Sequence, residues 1–487
     1  MIGVVNERVL EPGLGARRGV LMSDDVAFLS AENLVAAFRA RRLSPVEVTE
    51  AILARIERVN PVVNASTTVS ADQAMAGARA AEAAYAAGAA GPLAGVSFSI
   101  KDLTPTRGIR TARGSLVDPD WVPDEDPPVV ERLYAAGGVI LGKTNTPELG
   151  WKGDSGNRVF GPTYNPWKLD RTAGGSSGGA AAAVASGLGP LAQGSDGAGS
   201  VRIPAAFCGI FGLKPSFGLV PQFPPSAVGD LSHLGPMTRT VTDAALMLNA
   251  IAGGDARDRL SWSSGLDYTQ GLNESITGLR IAYSPTLGYV DVDEDVLQAV
   301  NQGVQTLARL GAEVVEVDPG VPDPADILDK LWAGAMAGYF LGRLDQVGDL
   351  IDQGLLATVQ RTGELSAGEL ANAQQRRNAY YTGMREFMRD FDLLITPSMP
   401  STAFTAGLDE PDNWQRQTIA PLDWTPFTFP FNITGQPAAT VPAGFDRQGL
   451  PIGMQLVGRW RDDPTVLRAS RAFERAQPWA SVRPPVA

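Results

Sequence analysis

Between positions 44 and 61 the apolar residues fall at four-residue steps, with Val48, Ile52 and Ile56 following Ser44-Pro45-Val46-Glu47. A serine N-cap, a proline at the first helical position and a glutamate at the third predict a helix that begins at Pro45 and ends at Asn60-Pro61. Residues 71–90 are alanine-rich and predict a second helix, closed by Gly91-Pro92. The period then drops to two: Val96, Phe98 and Ile100 alternate with Ser97, Ser99 and Lys101. That alternation predicts a strand with one polar face, ending at Lys101. Farther on the chain reads helix at 128–136, strand at Val139-Ile140-Leu141, an alanine helix near 179–186 and a strand at 189–195. Strands at 279–282 and 313–317 flank a helix at about 294–310, and Leu393-Leu394-Ile395 ends another helical segment in a strand. Helix and strand taken in turn predict an α/β layer architecture. Residues 396–430, rich in Pro, Thr and Trp, predict a long ordered loop of the kind that shapes a binding site. The first 21 residues show neither period and read as a loose extension ahead of a body at 22–487.

Composition narrows the chemistry. Length alone, 487 residues, would suggest two to three domains, yet no repeat, low-complexity tract or polar linker marks a boundary. With 44% hydrophobic residues there is material for an extensive core, which excludes wholesale disorder. Cys208 and His233 are the only residues of their kinds, so an internal disulfide, a Cys-rich zinc site and any site built on two imidazoles are excluded. A net charge of −12 opposes a non-specific grip on nucleic acid or anionic lipid. No stretch approaches a membrane span, and residues 1–21 lack the order of a signal peptide, so the expectation is a soluble, cytoplasmic protein with neither nucleic acid nor membrane as partner. Only six lysines occur, at 101, 143, 152, 168, 214 and 330, so a lysine inside an apolar run calls for an explanation.

Two short motifs point elsewhere and fail on context. Gly137 to Thr144 fits G-x-x-x-x-G-K-T, but Val139-Ile140-Leu141 is itself the strand, and Pro147 stands where the following helix should be under way. A plain buried strand is the better reading. Gly175-Ser176-Ser177-Gly178-Gly179 fits G-x-S-x-G with Ser177 as nucleophile, but the only histidine, His233, lies in a Gly- and Pro-flanked loop too soon downstream for the usual order of serine, acid and histidine. A structural or pocket-edge histidine fits better.

Lys101, the run Gly174 to Gly179 and the run Ser195-Asp196-Gly197-Ala198-Gly199-Ser200 are best taken together. With them the sequence resembles the amidase signature family. The likeness continues through Val201 to Gly209, Gly212-Leu213-Lys214-Pro215, Gly235 to Arg239, Phe431 to Pro437 and Gly453 to Gly458, so that it covers nearly everything after about residue 25. It implies one large α/β domain with a mixed central sheet covered by helices. It also implies hydrolysis of a carboxylic amide by a Ser-cis-Ser-Lys triad, without metal or cofactor. Ser200 would attack the carbonyl, Ser176 would relay the proton, and Lys101 would be the neutral base that returns it to the leaving nitrogen. The stretch bordering substrate nominates Gly150, Trp151 and Asp154, with the loop at 220–232 and the segment 414–431 as further pocket walls.

The residues themselves set conditions on that chemistry. A lysine of pKa about 10.4 is charged at neutral pH, and holding it half-neutral at pH 7 takes about 4.6 kcal/mol of destabilisation of the ammonium, which burial can supply. A surface bridge from Lys101 to Asp102 is the competing reading, weakened because neighbours on a strand face opposite ways. One of Ser176 and Ser177 should also serve as N-cap to the alanine helix. Small residues leave amide hydrogens open, making Gly197, Ala198 and Gly199 the oxyanion-hole candidates, with the Ser200 N–H beside them. The family's commoner D-x-G-G-S has glycine where Ala198 stands, which puts the local backbone angle and the pocket width at issue. Asp196 and Arg202 are assigned to holding this loop.

The expected activity is cleavage of a small-molecule aryl or alkyl amide, with ester or carbamate cleavage passing through a comparable tetrahedral species. A homo-oligomer is compatible with the sequence. The competing reading is the glutaminase-type A subunit of a tRNA-dependent amidotransferase, disfavoured by Ala198 and the acidic balance; a degenerate binding module is disfavoured by the presence of all three triad positions.

Overall fold

In a computed structural model, residues 23–362, 365–412, 414 and 422–486 are described. The extension expected at 1–21 and part of the loop expected at 396–430 lie outside them. The strands run β1 Ser66–Val69, β2 Ser97–Lys101, β3 Val139–Thr144, β4 Tyr164–Asn165, β5 Lys168–Thr172, β6 Leu191–Asp196, β7 Phe211–Lys214, β8 His233–Thr238, β9 Arg280–Tyr283, β10 Glu313–Glu316, β11 Leu393–Pro397, β12 Ala438–Phe445 and β13 Pro451–Gly458. Eleven of them form one mixed sheet in the order β1-β3-β2-β6-β8-β7-β12-β13-β11-β9-β10, and β4 pairs with β5 apart from it. Parallel pairs at β3-β2-β6 and β11-β9-β10 flank an antiparallel centre. The α/β expectation is met as one eleven-stranded sheet drawn from strands between residues 66 and 458, which overrides the domain count that length suggested.

In the half of the sheet formed by β12, β13, β11 and β9, strand periodicity explains how two cores are separated. Leu393 and Ile395 join one apolar cluster while Leu394 joins the other, and Ile281/Ala282, Ala439/Ala438 and Leu456/Val457 divide in the same way. Helices cover both faces, so the polar face read in β2 never meets water: Ser97, Ser99 and Lys101 are buried opposite Val96, Phe98 and Ile100. The first helix of the sequence reading spans Pro45–Val63, with Ser44 Oγ accepting from the Val46 N–H; Pro61 sits inside its last turn, and Asn64 ends it in the left-handed region. Pro61 lacks an N–H, but the chain keeps helical form because the Asn64 N–H closes on the Asn60 carbonyl at 2.7 Å. Among the described residues no helix is long and apolar enough to cross a membrane.

Candidate active site

Parallel pairing of β2 with β3 and β6 carries Lys101 to the C-terminal end of these strands, beside the turn that follows β6. Its side chain is fully buried. Nζ lies 2.6 Å from Ser176 Oγ, 3.0 Å from Ser195 Oγ and 3.4 Å from the Ser195 carbonyl oxygen, with no carboxylate among these partners. Burial drives the amine well below the ordinary lysine range, and the charge of Asp196 opposes that only in part. The bridge to Asp102 does not form. Asp102 turns to the other side, where its charged neighbour is Lys143; burial raises the carboxyl to about 6 and lowers the Lys143 amine to about 8. Lys143, the lysine of the G-x-x-x-x-G-K-T run, donates to the Thr104 carbonyl and to Thr106 Oγ1 from within β3, a structural post.

Ser176 follows a cis Gly175–Ser176 peptide and is buried to 2% exposure. Ser177 does occupy the N-cap position of the alanine helix Gly178–Ala185, yet makes no side-chain capping bond there. Its hydroxyl donates instead to the Ser195 carbonyl at 3.1 Å, while its own N–H donates to the Ser200 carbonyl at 3.1 Å. These two bonds lash the glycine–serine loop to the Ser195–Ser200 turn. Ser200 is 6% exposed and sits two residues before the helix Arg202–Cys208. His233 sends Nδ1 to the Leu231 carbonyl at 2.9 Å, and burial first, then the charge of Lys214, lowers its pKa strongly, so it stays neutral and serves no serine of the site.

The turn holding Ser200 is braced by a buried ion pair. Arg202 meets both carboxylate oxygens of Asp196, at 2.9 and 3.0 Å, and reaches Asn432 Oδ1, Gln455 Oε1 and the Thr428 carbonyl. Burial alone would raise the Asp196 carboxyl, but Arg202, Lys214 and Asn432 outweigh it and hold the group well below the usual carboxylate range. Of the three oxyanion candidates, Gly199 has its N–H on Asp196 Oδ1 at 2.7 Å. The N–H groups of Gly197, Ala198 and Ser200 donate to no acceptor among the described residues. Ala198 keeps a negative φ, and the positive φ of this turn falls on Gly199, so alanine is accommodated without strain.

The nominated substrate contacts divide. Gly150 packs on the site: a Cβ there would stand 3.1 Å from Ser176 Oγ and 2.9 Å from Leu103 Cδ1. Trp151 is buried in the same apolar cluster as Ala198, Val228, Leu231, Trp332 and Phe427, so members of the loop at 220–232 and of the described part of 414–431 share a cluster with Ala198 of the turn. Asp154 lies behind the loop, accepting from Thr172 Oγ1 at 2.6 Å and from the Gly156 N–H at 2.7 Å. Its backbone forms the bed under Gly175, where a Cβ would stand 2.5 Å from the Asp154 carbonyl oxygen. Sequence reasoning did not name Trp332, Thr428 or the Ser195 hydroxyl. Ser195 carried a signal as the first residue of the serine–glycine run, and Thr428 only as a member of the segment 414–431; Trp332 carried none.

A buried amine against a serine hydroxyl, with a braced turn of small residues beside it, sits where residues 47–467 match the Amidase family, and the chain belongs to that amidase signature family. It is 39% identical over 475 residues to an acylamidase of Rhodococcus erythropolis, covering 95% of this chain and 98% of that one. It is 37% identical to the A subunit of the glutamyl-tRNA(Gln) amidotransferase of Geobacter metallireducens, covering 91% of this chain and 96% of the other. The crystal structure of a bacterial aryl acylamidase of the amidase signature family superposes with a TM-score of 0.87 at 33% identity, over 93% of this chain and 97% of that one.

Proposed function

We propose that this amide hydrolase cleaves small aryl or alkyl amides through an acyl enzyme on Ser200. The observation that carries the reading is the buried Lys101 amine 2.6 Å from the Ser176 hydroxyl with no carboxylate among its hydrogen-bond partners. A neutral amine accepts the Ser176 proton as Ser176 takes that of Ser200, and the Ser200 oxygen bonds to the substrate carbonyl carbon. Charge gathers on the carbonyl oxygen, where the N–H groups of Gly197, Ala198 and Ser200 are the donors available to it. As the C–N bond breaks, the proton returns from Lys101 through Ser176 to the leaving nitrogen. Water then repeats the sequence on the ester, releasing the acid and free Ser200. The apolar cluster around Ala198 favours a hydrophobic acyl or aryl group.

Esters and carbamates pass through the same tetrahedral geometry, so the test is a panel of all three substrate types with wild type and Ser200→Ala. The variant should lose at least about three orders of magnitude in kcat on every member; full turnover by the variant would remove Ser200 as nucleophile. The likeness to amidotransferase A subunits supports a second reading. Purified alone, a free amidase turns over simple anilides, whereas a glutaminase subunit prefers glutamine and needs a companion chain. We place the enzyme in the cytoplasm with small-molecule amides as substrates, and cell fractionation is the check.

A further inference from the structure

The peptide joining Ala198 to Gly199 is held at both ends. Its carbonyl oxygen accepts from Thr428 Oγ1 at 2.7 Å, and its N–H donates to Asp196 Oδ1 at 2.7 Å. Thr428 Oγ1 also lies 3.1 Å from the Thr425 carbonyl, but a hydroxyl has one proton and the shorter contact is to Ala198. Thr428 is fully buried, and its own carbonyl accepts from Arg202 Nη1 at 2.8 Å, the same guanidinium that grips Asp196. Both clamps on this peptide therefore belong to one buried network. Gly199 completes the fit: at φ 128° it turns the chain, and a Cβ there would overlap the Thr428 side chain. Fixing one peptide plane limits the rotation of its neighbours, and those neighbours carry the N–H groups of Ala198 and Ser200.

We propose that Thr428 is a positioning residue for transition-state stabilisation, its hydroxyl orienting the Ala198–Gly199 peptide so that the flanking Ala198 and Ser200 N–H groups converge on the substrate oxyanion. The inference rests on Ser200 being the nucleophile. It concerns a residue far along the chain whose hydroxyl meets the Ala198 and Thr425 carbonyls and bonds to none of Lys101, Ser176 or Ser200. Donors set at fixed places matter most for charge that exists only in the transition state, so their misalignment lowers kcat and leaves ground-state binding alone.

The test compares wild type, Thr428→Val, Thr428→Ser and Ser200→Ala on a simple anilide, with a boronic acid as tetrahedral probe and an uncleaved carboxylic acid product as ground-state probe. Thr428→Val should lower kcat by tenfold or more at nearly unchanged KM. It should weaken boronate binding by a similar factor while leaving the product's affinity unaltered. Thr428→Ser, which keeps the hydroxyl, should restore most of both. Wild-type kcat and boronate affinity in a folded Thr428→Val would overturn the proposal, and so would equal losses for both probes. If Ser200→Ala keeps full turnover, it is the nucleophile assignment that fails, a result separable from the first because Thr428→Val is scored against the boronate. Should Thr428→Val not fold, Thr428→Ser and Thr428→Cys carry the comparison, the cysteine donating more weakly and falling between the other two.

Discussion

Lys101 is costly to fold. A group whose ammonium is disfavoured by burial binds its proton more weakly in the folded chain than in the unfolded one. Between that lowered pKa and the unfolded value of about 10.4, the unfolded chain holds the extra proton, so stability rises with pH through this window and falls on acidification. Below the lowered value the cost is fully present, and above the unfolded value it vanishes. Lys101→Met fills similar space without the charge. We expect it to lose at least about three orders of magnitude in kcat, yet to melt no lower than wild type at pH 7, and the gap between the two to close towards pH 10. Differential scanning calorimetry across that range checks the second point. A variant that melts far below wild type at every pH would mean that Lys101 is a structural cation.

At the level of helices and strands, the sequence was readable wherever one period ran unbroken and silent where contacts come from afar. The helices Pro45–Val63, Ala71–Ala86 and Glu294–Arg309 lie where apolar spacing and alanine content put them, within a few residues. Strands β2, β3, β6, β9, β10 and β11 were visible as short apolar or alternating runs. What periodicity misjudged was the environment of β2, whose polar side faces a protein interior: Ser97, Ser99 and Lys101 are buried, and Lys101 meets the hydroxyls of Ser176 and Ser195 there. The helices Ala325–Phe340 and Ala367–Phe387 were not foreseen as part of any site. The first of them brings Trp332 against the turn: a Cβ on Gly197 would stand 3.0 Å from its ring and 3.1 Å from Val228 Cγ2. No local signal marks this tryptophan, since its role depends on a partner more than a hundred residues earlier. We expect Trp332→Ala to widen the acyl side, raising kcat/KM for long-chain acyl anilides relative to acetanilides by about tenfold, the range one pocket contact commands. An unchanged ratio across an acyl-length series would place the ring outside the pocket.

Across the whole molecule, the central sheet gathers pieces that sequence distance separates. Lys101 comes from β2, Ser176 from the loop after β5, Ser200 from the turn after β6, and the brace on that turn from Thr428, Asn432 and Gln455 near the far end of the chain. The three proposed triad positions could be named because the runs around them resemble those of the amidase signature family, whereas the brace is built from ordinary residues whose meaning appears only when β12 and β13 pair beside β7. Three of the six lysines, Lys101, Lys143 and Lys214, are fully buried in this interior. So few lysines make their charge states directly observable. With 13C placed at Cε of every lysine, NMR resolves the six signals, and Lys101→Arg assigns the one that disappears. The mechanism predicts that the Lys101 signal is that of a neutral amine at pH 8 and moves to the ammonium position only on acidification, in step with the loss of kcat/KM. A Lys101 signal that remains at the ammonium position up to pH 9 in active enzyme would contradict it.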